Sequence, residues 1–320
     1  MATVAVVGEV VADAVLPPGG IVDGAAQLTV HPGGGPANTA VALARLGTRA
    51  RFAGRLSGGA LGALCRAKLE ASGVDLAASE TAAQPATLAI ARLDATGAAT
   101  YEFYVEGTSD WGWTDRSLAP VIDGPFGDEV PAPVAVHSGS LALALHPSGP
   151  VIERLLHRAR PRMTVSLDPN LRPLLVPVAD YRKAIDRWAA LADILRLSGD
   201  DLDLLWPGWT PEQAATHLHA RGVQLVVVSL GADGAFASLR GEQLSVPIAP
   251  TTLVDTVGAG DSFHGGLLHY LAAAGHLGGR LESLTTAALQ LAVAFASQVS
   301  AVTCSRAGAN PPWATELNCT

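Results

Sequence analysis

The stretch D-T-V-G-A-G-D-S-F, residues 255–263, joins a loop to the start of a helix. Residues 262–274 show the apolar spacing of a helix. Gly258, Ala259 and Gly260 have minimal side chains, so a ligand can approach their backbone N–H groups closely. N–H groups at a helix N-terminus lack intrahelical partners and bind anions, phosphate above all. The stretch therefore predicts a phosphate-binding helix start.

Asp261 places a carboxylate beside this anion site. Its charge cannot hold phosphate, but a base that takes a proton from an attacking hydroxyl would lie there. A short glycine motif is also typical of ordinary turns, in which Asp261 would be a plain first-turn residue. The whole string, however, resembles the C-terminal signature of the ribokinase-like (PfkB) carbohydrate kinases. The resemblance implies Asp261 as catalytic base and residues 258–260 as the site that stabilises charge on a transferring phosphoryl group.

Composition limits the class of protein. The 320 residues allow one large α/β domain or two smaller ones, and 49% hydrophobic residues provide for a sizeable core. A net charge of −8 argues against a nucleic-acid partner, which usually leaves a basic footprint. Three scattered cysteines (Cys65, Cys304 and Cys319) predict neither a disulfide framework nor a zinc site, and fit a reducing cytoplasm.

Targeting and membrane signals are weak. The N-terminal residues 1–9 have no basic flank before their apolar run, so we do not expect a signal peptide. The most apolar long run, residues 284–302, is interrupted by Thr285, Gln290 and Gln298. It therefore predicts a core helix rather than a membrane span.

The first strand is followed by an acidic residue. Residues 3–8 are short, apolar and rich in valine, as expected for a strand buried on both faces. Asp13 comes soon afterwards, and a carboxylate just past a central strand lies where open α/β sheets bind ligands. A solvated loop aspartate fits the same pattern, so both interpretations of Asp13 stay open at this point.

A second glycine-rich helix start follows at H-P-G-G-G-P-A-N, residues 31–38. Its glycines allow close backbone approach, and Asn38 can offer a donor and an acceptor to a polyol. The segment resembles the N-terminal G-G-x-x-x-N signature of the same kinase family. The resemblance implies that Gly34, Gly35 and Asn38 contact sugar hydroxyls.

A hairpin interrupts the alternation of strands and helices. Residues 87–93 and 99–105 have strand composition around the turn signal D-A-T-G at 94–97. The pattern predicts a small antiparallel sheet that projects from the main domain, with an edge hairpin of the main sheet as the alternative. Family resemblance implies a lid over the sugar, formed by approximately residues 10–33 and 84–114, which often also forms a homodimer surface.

The loop D-P-N-L-R-P, residues 168–173, follows a strand at 163–167. Its two prolines exclude a helix and hold the polar residues in a fixed loop. The string is similar to the D-P-N-x-R of fructokinase-like and keto-sugar-acid kinases, which implies that Asn170 and Arg172 lie near sugar and phosphates. Arg172 is the best-placed cation for a phosphoryl group or an acidic sugar, with a solvent-facing loop arginine as the alternative.

Ser198 and Asp201 follow the strand at residues 194–197. They stand where the family shows N-x-x-E, whose acid organises Mg²⁺, often through water, so the chain departs from the family at both positions. A carboxylate at Asp201 still suits Mg²⁺. Ser198 could instead cap the helix that starts near Gly199, and both roles can hold together.

Two further segments resemble family loops for nucleotide and cation. S-L-G-A-D-G, residues 229–234, is similar to loops that hold ATP, which implies ATP contacts by Ser229, Gly231 and Gly234. Ser198, after the strand at residues 194–197, is the fourth residue expected to contact ATP. A-V-T-C-S-R-A-G-A-N, residues 301–310, resembles the loop where backbone carbonyls and an aspartate hold a monovalent cation. It is one residue longer than the ribokinase form, so K⁺ dependence stays open. The implied cation ligands are Asp255, Val257, Ala301 and Gly308.

The motifs occur in family order from Asp13 to Gly308. They imply a single ribokinase-like domain over residues 1–320, an α/β fold with a mainly parallel central sheet, flanking helices and a small β-sheet lid. The expected activity is cytoplasmic, ATP- and Mg²⁺-dependent phosphorylation of a sugar hydroxyl, with K⁺ as an optional cofactor. No Walker motif occurs, so the helix start at residues 258–260 must hold the phosphate.

The substrate stays open among several classes. A ketose such as fructose comes first, and a keto-deoxy sugar acid such as 2-keto-3-deoxygluconate, ribose or a nucleoside are alternatives. From another class, a catalytically inactive sugar-binding regulator would keep the pocket, although an intact Asp261 speaks against it. A dinucleotide dehydrogenase fits poorly, since no G-x-G-x-x-G follows the first strand.

Overall fold

The computed structural model describes residues 2–94, 99–124 and 131–317. The turn at residues 95–97 and Cys319 lie outside the described residues. The strands are β1 Thr3–Val7, β2 Val11–Leu16, β3 Ile21–Val22, β4 Ala25–Ala26, β5 Thr29–Gly33, β6 Arg49–Ala53, β7 Arg55–Ser57, β8 Glu80–Ala82, β9 Leu88–Leu93, β10 Ala99–Tyr104, β11 Pro133–Gly139, β12 Thr164–Asp168, β13 Ile194–Ser198, β14 Leu225–Ser229, β15 Ala235–Leu239 and β16 Glu242–Val246. The helices are α1 Gly35–Leu46, α2 Ala60–Ala71, α3 Asp115–Asp123, α4 Ser140–Ala144, α5 Ser148–Ala159, α6 Val178–Leu191, α7 Gly199–Leu205, α8 Pro211–His219, α9 Ala259–Ala273, α10 Thr286–Cys304 and α11 Ala314–Leu317.

The central sheet has eight strands in the order β16-β15-β14-β13-β12-β11-β1-β6. The six strands from β14 to β6 in this order pair in parallel, and β15 and β16 add an antiparallel edge. Strand β1 shows why both faces are apolar, because successive side chains point to opposite faces. Ala5 and Val7 join one core cluster with helices α3 and α5 to α8, whereas Val4 and Val6 join the other with α1, α2, α9 and α10. The predicted α/β fold with a mainly parallel sheet is confirmed.

The smaller sheet has the order β10-β9-β2-β5 and does not pair with the central one. Strand β2 pairs antiparallel with β5 and parallel with β9, and β9 pairs antiparallel with β10. The sheet is therefore mixed, and the edge-hairpin alternative is wrong. Its strands fall within the predicted segments 10–33 and 84–114. Asp13 lies inside β2, opposite His31 and Ala89, so the alternative of a solvated loop aspartate is wrong.

Among the described residues, α10 is one helix whose length and apolar composition would suffice to cross a membrane. Within its most apolar window, 44% of the residues are buried inside the protein. Its buried residues, such as Leu289, Val293 and Ala296, belong to the core cluster shared with α9. This packing is that of a core helix, as the sequence predicted.

Candidate active site

Four neighbouring strands of the central sheet end side by side. Gly139 at the end of β11 pairs with Asp168 at the end of β12, and Ser198 at the end of β13 pairs with Ser229 at the end of β14. In open α/β sheets ligands bind beyond the carboxyl ends of the strands. The polar residues predicted from separate loops thus reach one edge of the sheet.

Helix α9 begins at Ala259, three residues earlier than predicted, with Gly258 as its N-cap in the left-handed region at φ 73°. A side chain at Gly258 would collide with Ala309, whose Cβ lies 2.6 Å from the position of an added Cβ. The N–H of Ala259 donates to the carbonyl of Thr256 over 3.1 Å. Within the described chain, the N–H groups of Gly258 and Gly260 have no hydrogen-bond partner, so these two are available to an anion. The stabilising role of all three residues stays a prediction.

Asp261 lies in the first turn of α9 and is only 8% exposed. Its Oδ2 accepts a hydrogen bond from Nδ2 of Asn38 over 2.8 Å. Burial raises the pKa of Asp261 to about 6, and the charge of Asp168 adds to the rise, while Asn38, Arg172 and Arg196 act against it. A carboxylate with a pKa near the working pH is suited to general base catalysis.

A narrow cleft, too small to hold a water molecule in this structure, lies beside this carboxylate and next to Gly35. A Cβ on Gly35 would lie 3.2 Å from Nδ2 of Asn170 and 3.4 Å from Oδ1 of Asp261, so any side chain would fill the gap. Asn170 adopts φ 42°, a backbone region that asparagine tolerates better than most residues. The structure therefore brings three predicted substrate residues, Gly35, Asn38 and Asn170, to the candidate base. Ser140 lines the same cleft, and no motif in the sequence pointed to it.

Asp13 faces the same region from the small sheet. Burial raises its pKa to about 6, with Arg172 lowering it and Asp261 raising it further. Arg172 itself is exposed, and its guanidinium donates to the carbonyl of Leu171 over 3.0 Å. Gly34 needs to be glycine because it adopts φ 100°, and an added Cβ would lie 2.7 Å from the carbonyl of Glu9. Sugar contacts by Asp13, Gly34 and Arg172 stay predictions.

The predicted ATP residues lie at the strand ends, and most already have structural roles. The Ser198 hydroxyl caps α7 and donates to Asp201 over 2.7 Å. The Ser229 hydroxyl accepts a hydrogen bond from Arg196. Gly234 adopts φ 88°, and an added Cβ would lie 2.2 Å from the carbonyl of Val246, so the turn into β15 requires glycine. Gly231 is exposed, and ATP contacts by these four residues stay predictions.

Asp201 was predicted to organise Mg²⁺. Its Oδ2 accepts from both the N–H and the hydroxyl of Ser198, and its Oδ1 accepts from the N–H of Leu171 over 2.8 Å. Three of its about four lone-pair positions are therefore in use, which leaves one for a metal ion or a metal-bound water. The described residues contain no group of three or more metal-ligating side chains. The role of Asp201 in organising Mg²⁺, directly or through water, stays a prediction.

The segments predicted to hold a monovalent cation do meet. Asp255 accepts hydrogen bonds from the N–H of Val257 over 3.0 Å and from the N–H of Gly308 over 2.8 Å. Ala301, however, lies in the last turn of α10, and its carbonyl already accepts from the Thr251 hydroxyl over 2.7 Å. Of the four implied cation ligands, Asp255 and the Ala301 carbonyl thus already accept hydrogen bonds in this structure. The four-residue site stays a prediction.

Sequence reasoning missed the buried ion pair at the centre of this edge. Nη1 of Arg196 donates to Oδ2 of Asp168 over 2.9 Å, and each residue is 5% exposed. Burial would raise the pKa of Asp168, but the Arg196 guanidinium holds it well below its usual range, so the carboxylate stays ionised. A signal was present, since an arginine in the apolar strand I-L-R-L is unusual where both faces are buried.

Two buried histidines lie next to this pair. Nε2 of His264 is 2.6 Å from the Ser166 hydroxyl, and Nδ1 of His137 is 3.2 Å from the same oxygen. Burial lowers the pKa of both imidazoles, so both are neutral at pH 7. The sequence analysis did not single out any of these three residues.

Residues 1–316 match the pfkB family carbohydrate kinase, and the chain belongs to that family. It is therefore a phosphotransferase that acts on a sugar hydroxyl. A fructokinase from Rhizobium leguminosarum bv. trifolii is 36% identical over 239 residues, which cover 74% of this chain and 71% of that protein.

Two solved structures extend the similarity to the whole fold. One is a double-mutant fructokinase from Vibrio cholerae in fructose-, ADP- and potassium-bound form, at 27% identity and a TM-score of 0.78, covering 97% of this chain and 94% of that one. The other is an aminoimidazole riboside kinase from Salmonella enterica with its riboside and an ATP analogue, at 26% identity and a TM-score of 0.79. It covers 99% of this chain and 98% of that one.

Proposed function

We propose that the chain is an ATP-dependent fructokinase. The observation that carries the proposal is the meeting of a pKa-raised carboxylate, Asp261, with the free N–H groups of Gly258 and Gly260 beside a narrow polar cleft. A base and an anion site at this spacing suit transfer of a phosphoryl group to a hydroxyl. Two findings support fructose as acceptor. The similar protein from Rhizobium leguminosarum is a fructokinase, and the similar structure from Vibrio cholerae contains fructose and ADP.

In the proposed reaction the sugar lies beside this cleft, between Gly35 and Asn170 on one side and Asp13 of the small sheet on the other. Oδ1 of Asp261 takes the proton of the attacking hydroxyl, while Asn38 fixes the carboxylate through Oδ2. The N–H groups at the start of α9 stabilise the negative charge on the phosphoryl oxygens. Stabilisation of this charge lowers the barrier to phosphoryl transfer. Asp201 would hold Mg²⁺ directly or through water, and the ion would supply positive charge against the nucleotide phosphates.

The small sheet would act as a lid over the sugar within one kinase domain spanning residues 1–320. Asp13 on β2 gives this lid a side chain that faces the site, so closure would bring it to the sugar and exclude water. Ile21, Val22, Tyr101 and Tyr104 of the lid segments are large and exposed. Such a surface suits a homodimer through the lid. Cys65 and Cys304, the cysteines among the described residues, are free thiols, which fits a cytoplasmic enzyme.

The second candidate is phosphorylation of a riboside. The similarity to the aminoimidazole riboside kinase, over nearly the whole of both chains, favours it. A sugar-acid substrate has only the exposed Arg172 in its support, and a non-catalytic regulator would not need the buried Asp261 base.

A coupled ADP-release assay over ketoses, aldoses, sugar acids and ribosides, with and without K⁺, tests the proposal. Fructose should give the highest kcat/KM, and K⁺ should raise it. A riboside that exceeds fructose would replace the first candidate by the second. No turnover with any acceptor, together with measurable sugar binding by calorimetry, would favour the sugar-binding regulator.

A further inference from the structure

We propose that Arg196 is the fixed positive charge of the phosphoryl site, acting through the back of Gly260 without touching the substrate. The inference rests on the proposed kinase function and deepens it by naming a positioning residue. None of the motifs in the sequence includes Arg196, which lies in the middle of strand β13.

The contact between Arg196 and Gly260 places the charge. A Cβ on Gly260 would lie 2.7 Å from Nη1, 2.8 Å from Nη2 and 3.0 Å from Cζ of Arg196. The guanidinium therefore packs directly against the Cα of Gly260, which is one of the two residues with an available N–H. Only glycine allows a cation to come this close to the anion-binding turn. The side of the turn that faces the sheet thus carries a full charge in addition to the helix dipole.

The charge is held rigidly. Nη1 bonds to Asp168 over 2.9 Å and Nη2 bonds to the hydroxyl of Ser229, so Arg196 joins the ends of β12 and β14 under the start of α9. Arg196 is 5% exposed, so little water screens it. A preorganised charge in a buried site needs no rearrangement during the reaction.

A gain in the stability of the fold does not readily explain the buried ion pair of Arg196 and Asp168. Removing two charges from water costs free energy that the attraction between them often does not recover, and apolar residues of similar volume frequently serve as well. The neighbours of Arg196 in β13, Ile194, Leu195 and Leu197, are fully buried and apolar. The charge of Arg196 in this apolar strand is therefore better explained by its contact with the anion-binding start of α9.

Arg196 also acts on the candidate base. Charged and polar groups from several elements face Asp261. They are Asn38 from α1, Asp168 from β12, Arg172 from the loop after β12, Arg196 from β13 and Asp13 from β2. Arg196 is one of the two cations in this set, and it lowers the pKa of Asp261. Its loss should move the protonation of the base to higher pH, which a purely structural role would not do.

The test compares Arg196→Met and Arg196→Lys with the control Arg280→Met. Arg280 also pairs with a buried aspartate, Asp193 at 3.1 Å, but at the opposite end of β13. Each variant is assayed for kcat, sugar KM and the pH dependence of kcat. Tripolyphosphate binding, measured by calorimetry, reports the anion site independently of the sugar.

Arg196→Met should lower kcat about 10- to 100-fold, near the scale for losing one donor at an anion-stabilising site. The acid limb of kcat should move to higher pH, tripolyphosphate affinity should fall several-fold, and sugar KM should stay within about threefold. Arg196→Lys should recover part of kcat, because it restores the charge without the planar fork. Arg280→Met should match the unaltered protein.

Normal kcat with an unmoved acid limb in Arg196→Met would overturn the inference, as would an equal loss in Arg280→Met. If Arg196→Met does not fold because Asp168 is left unpaired, the double variant with Asp168→Asn removes both charges. Asp168 raises the pKa of Asp261 and Arg196 lowers it, so the acid limb is not diagnostic in the double variant, and normal kcat with normal tripolyphosphate affinity would overturn the inference. If the unaltered protein turns over no sugar, the proposed function fails. If tripolyphosphate affinity still depends on Arg196 in that case, Arg196 supplies the positive charge of an anion site even though the protein is not a sugar kinase.

Discussion

Asn38 donates a hydrogen bond from Nδ2 to Oδ2 of Asp261 over 2.8 Å, although 223 positions separate them in the chain. Both residues lie in the first turn of a glycine-led helix, Asn38 in α1 and Asp261 in α9. Thr39 strengthens the junction by donating to the carbonyl of Asp261 over 3.4 Å. The two helix starts are thus joined at the carboxylate of Asp261. Asn38 holds Oδ2, and Oδ1 lies next to Gly35.

Asp261→Asn should keep nucleotide binding and lose roughly 10²-fold or more in kcat, the scale of a general base. The amide keeps the shape of the side chain but cannot accept the proton of the sugar hydroxyl. Steady-state kinetics and ATP binding by calorimetry measure the two effects. Asp180→Asn, the same change at an exposed position of α6, should leave both unaltered. Near-normal kcat in Asp261→Asn would remove the residue from the role of base.

The pH dependence of kcat should show one acid limb near pH 6. Burial raises the pKa of Asp261 to about 6, and the base works only when deprotonated, so kcat should rise with pH through this range and level off above it. Rates at saturating substrates from pH 5 to 8 measure the limb. The limb should be absent from the residual rate of Asp261→Asn. A flat profile in the unaltered protein would contradict the assignment.

The sequence predicted the fold well because its signals are local. The apolar runs at residues 3–8, 163–167 and 194–197 each report a neighbouring stretch of backbone, and they form strands β1, β12 and β13 of the central sheet. The start of α9 was misplaced by three residues, since Ala259 and Gly260 do not look like a helical turn out of context. The position of Asp13 inside a strand was not evident from the sequence, because its pairing with His31 and Ala89 depends on contacts between distant segments.

The candidate site was only partly predictable for the same reason. Glycines and the aspartate at residues 258–261 formed a recognisable string, whereas Arg196 is a single residue in an apolar strand. Its importance depends on Asp168, Ser229 and Gly260, which come from three other segments. The hydroxyls of Ser198 and Ser229 show the converse, since motif resemblance assigned them to ATP while the fold uses them for capping and for holding Arg196.

Asp13→Ala should raise the sugar KM far more than the ATP KM. Asp13 lies on β2 of the proposed lid, where burial and the nearby Asp261 raise its pKa to about 6. Its loss removes an acceptor for sugar hydroxyls and leaves the nucleotide side untouched. Initial rates with each substrate varied in turn measure both constants. Glu102→Ala, on β10 of the same sheet and exposed, is the matched control and should change neither. Equal effects of Asp13→Ala on both constants would move Asp13 out of the sugar site.

The stability of the fold should carry a pH signature from Glu9, which lies between β1 and β2 where the chain passes from the central sheet to the small one. Glu9 is 1% exposed, and its Oε2 accepts from the N–H of Ala142 over 2.9 Å. Burial raises its pKa from 4.5 to about 7. The folded protein therefore binds more protons than the unfolded chain between these values, so this group lowers the free energy of unfolding as pH rises through that window.

Glu9→Gln removes this titration, so unfolding should be less pH-dependent in the variant. The free energy of unfolding of Glu9→Gln minus that of the unaltered protein should increase from pH 4.5 to 7, by up to about 3 kcal/mol, and stay constant above. Any loss of hydrogen bonding by the amide adds an offset that does not vary with pH, so the slope is the diagnostic quantity. Urea denaturation at intervals from pH 4.5 to 8.5 measures it. Glu70→Gln, the same change at an exposed position of α2, is the matched control for the substitution itself. A pH-independent difference for Glu9→Gln as well would mean that Glu9 is ionised in the folded protein throughout this range, held by Ala142 and its other partners more strongly than burial opposes it.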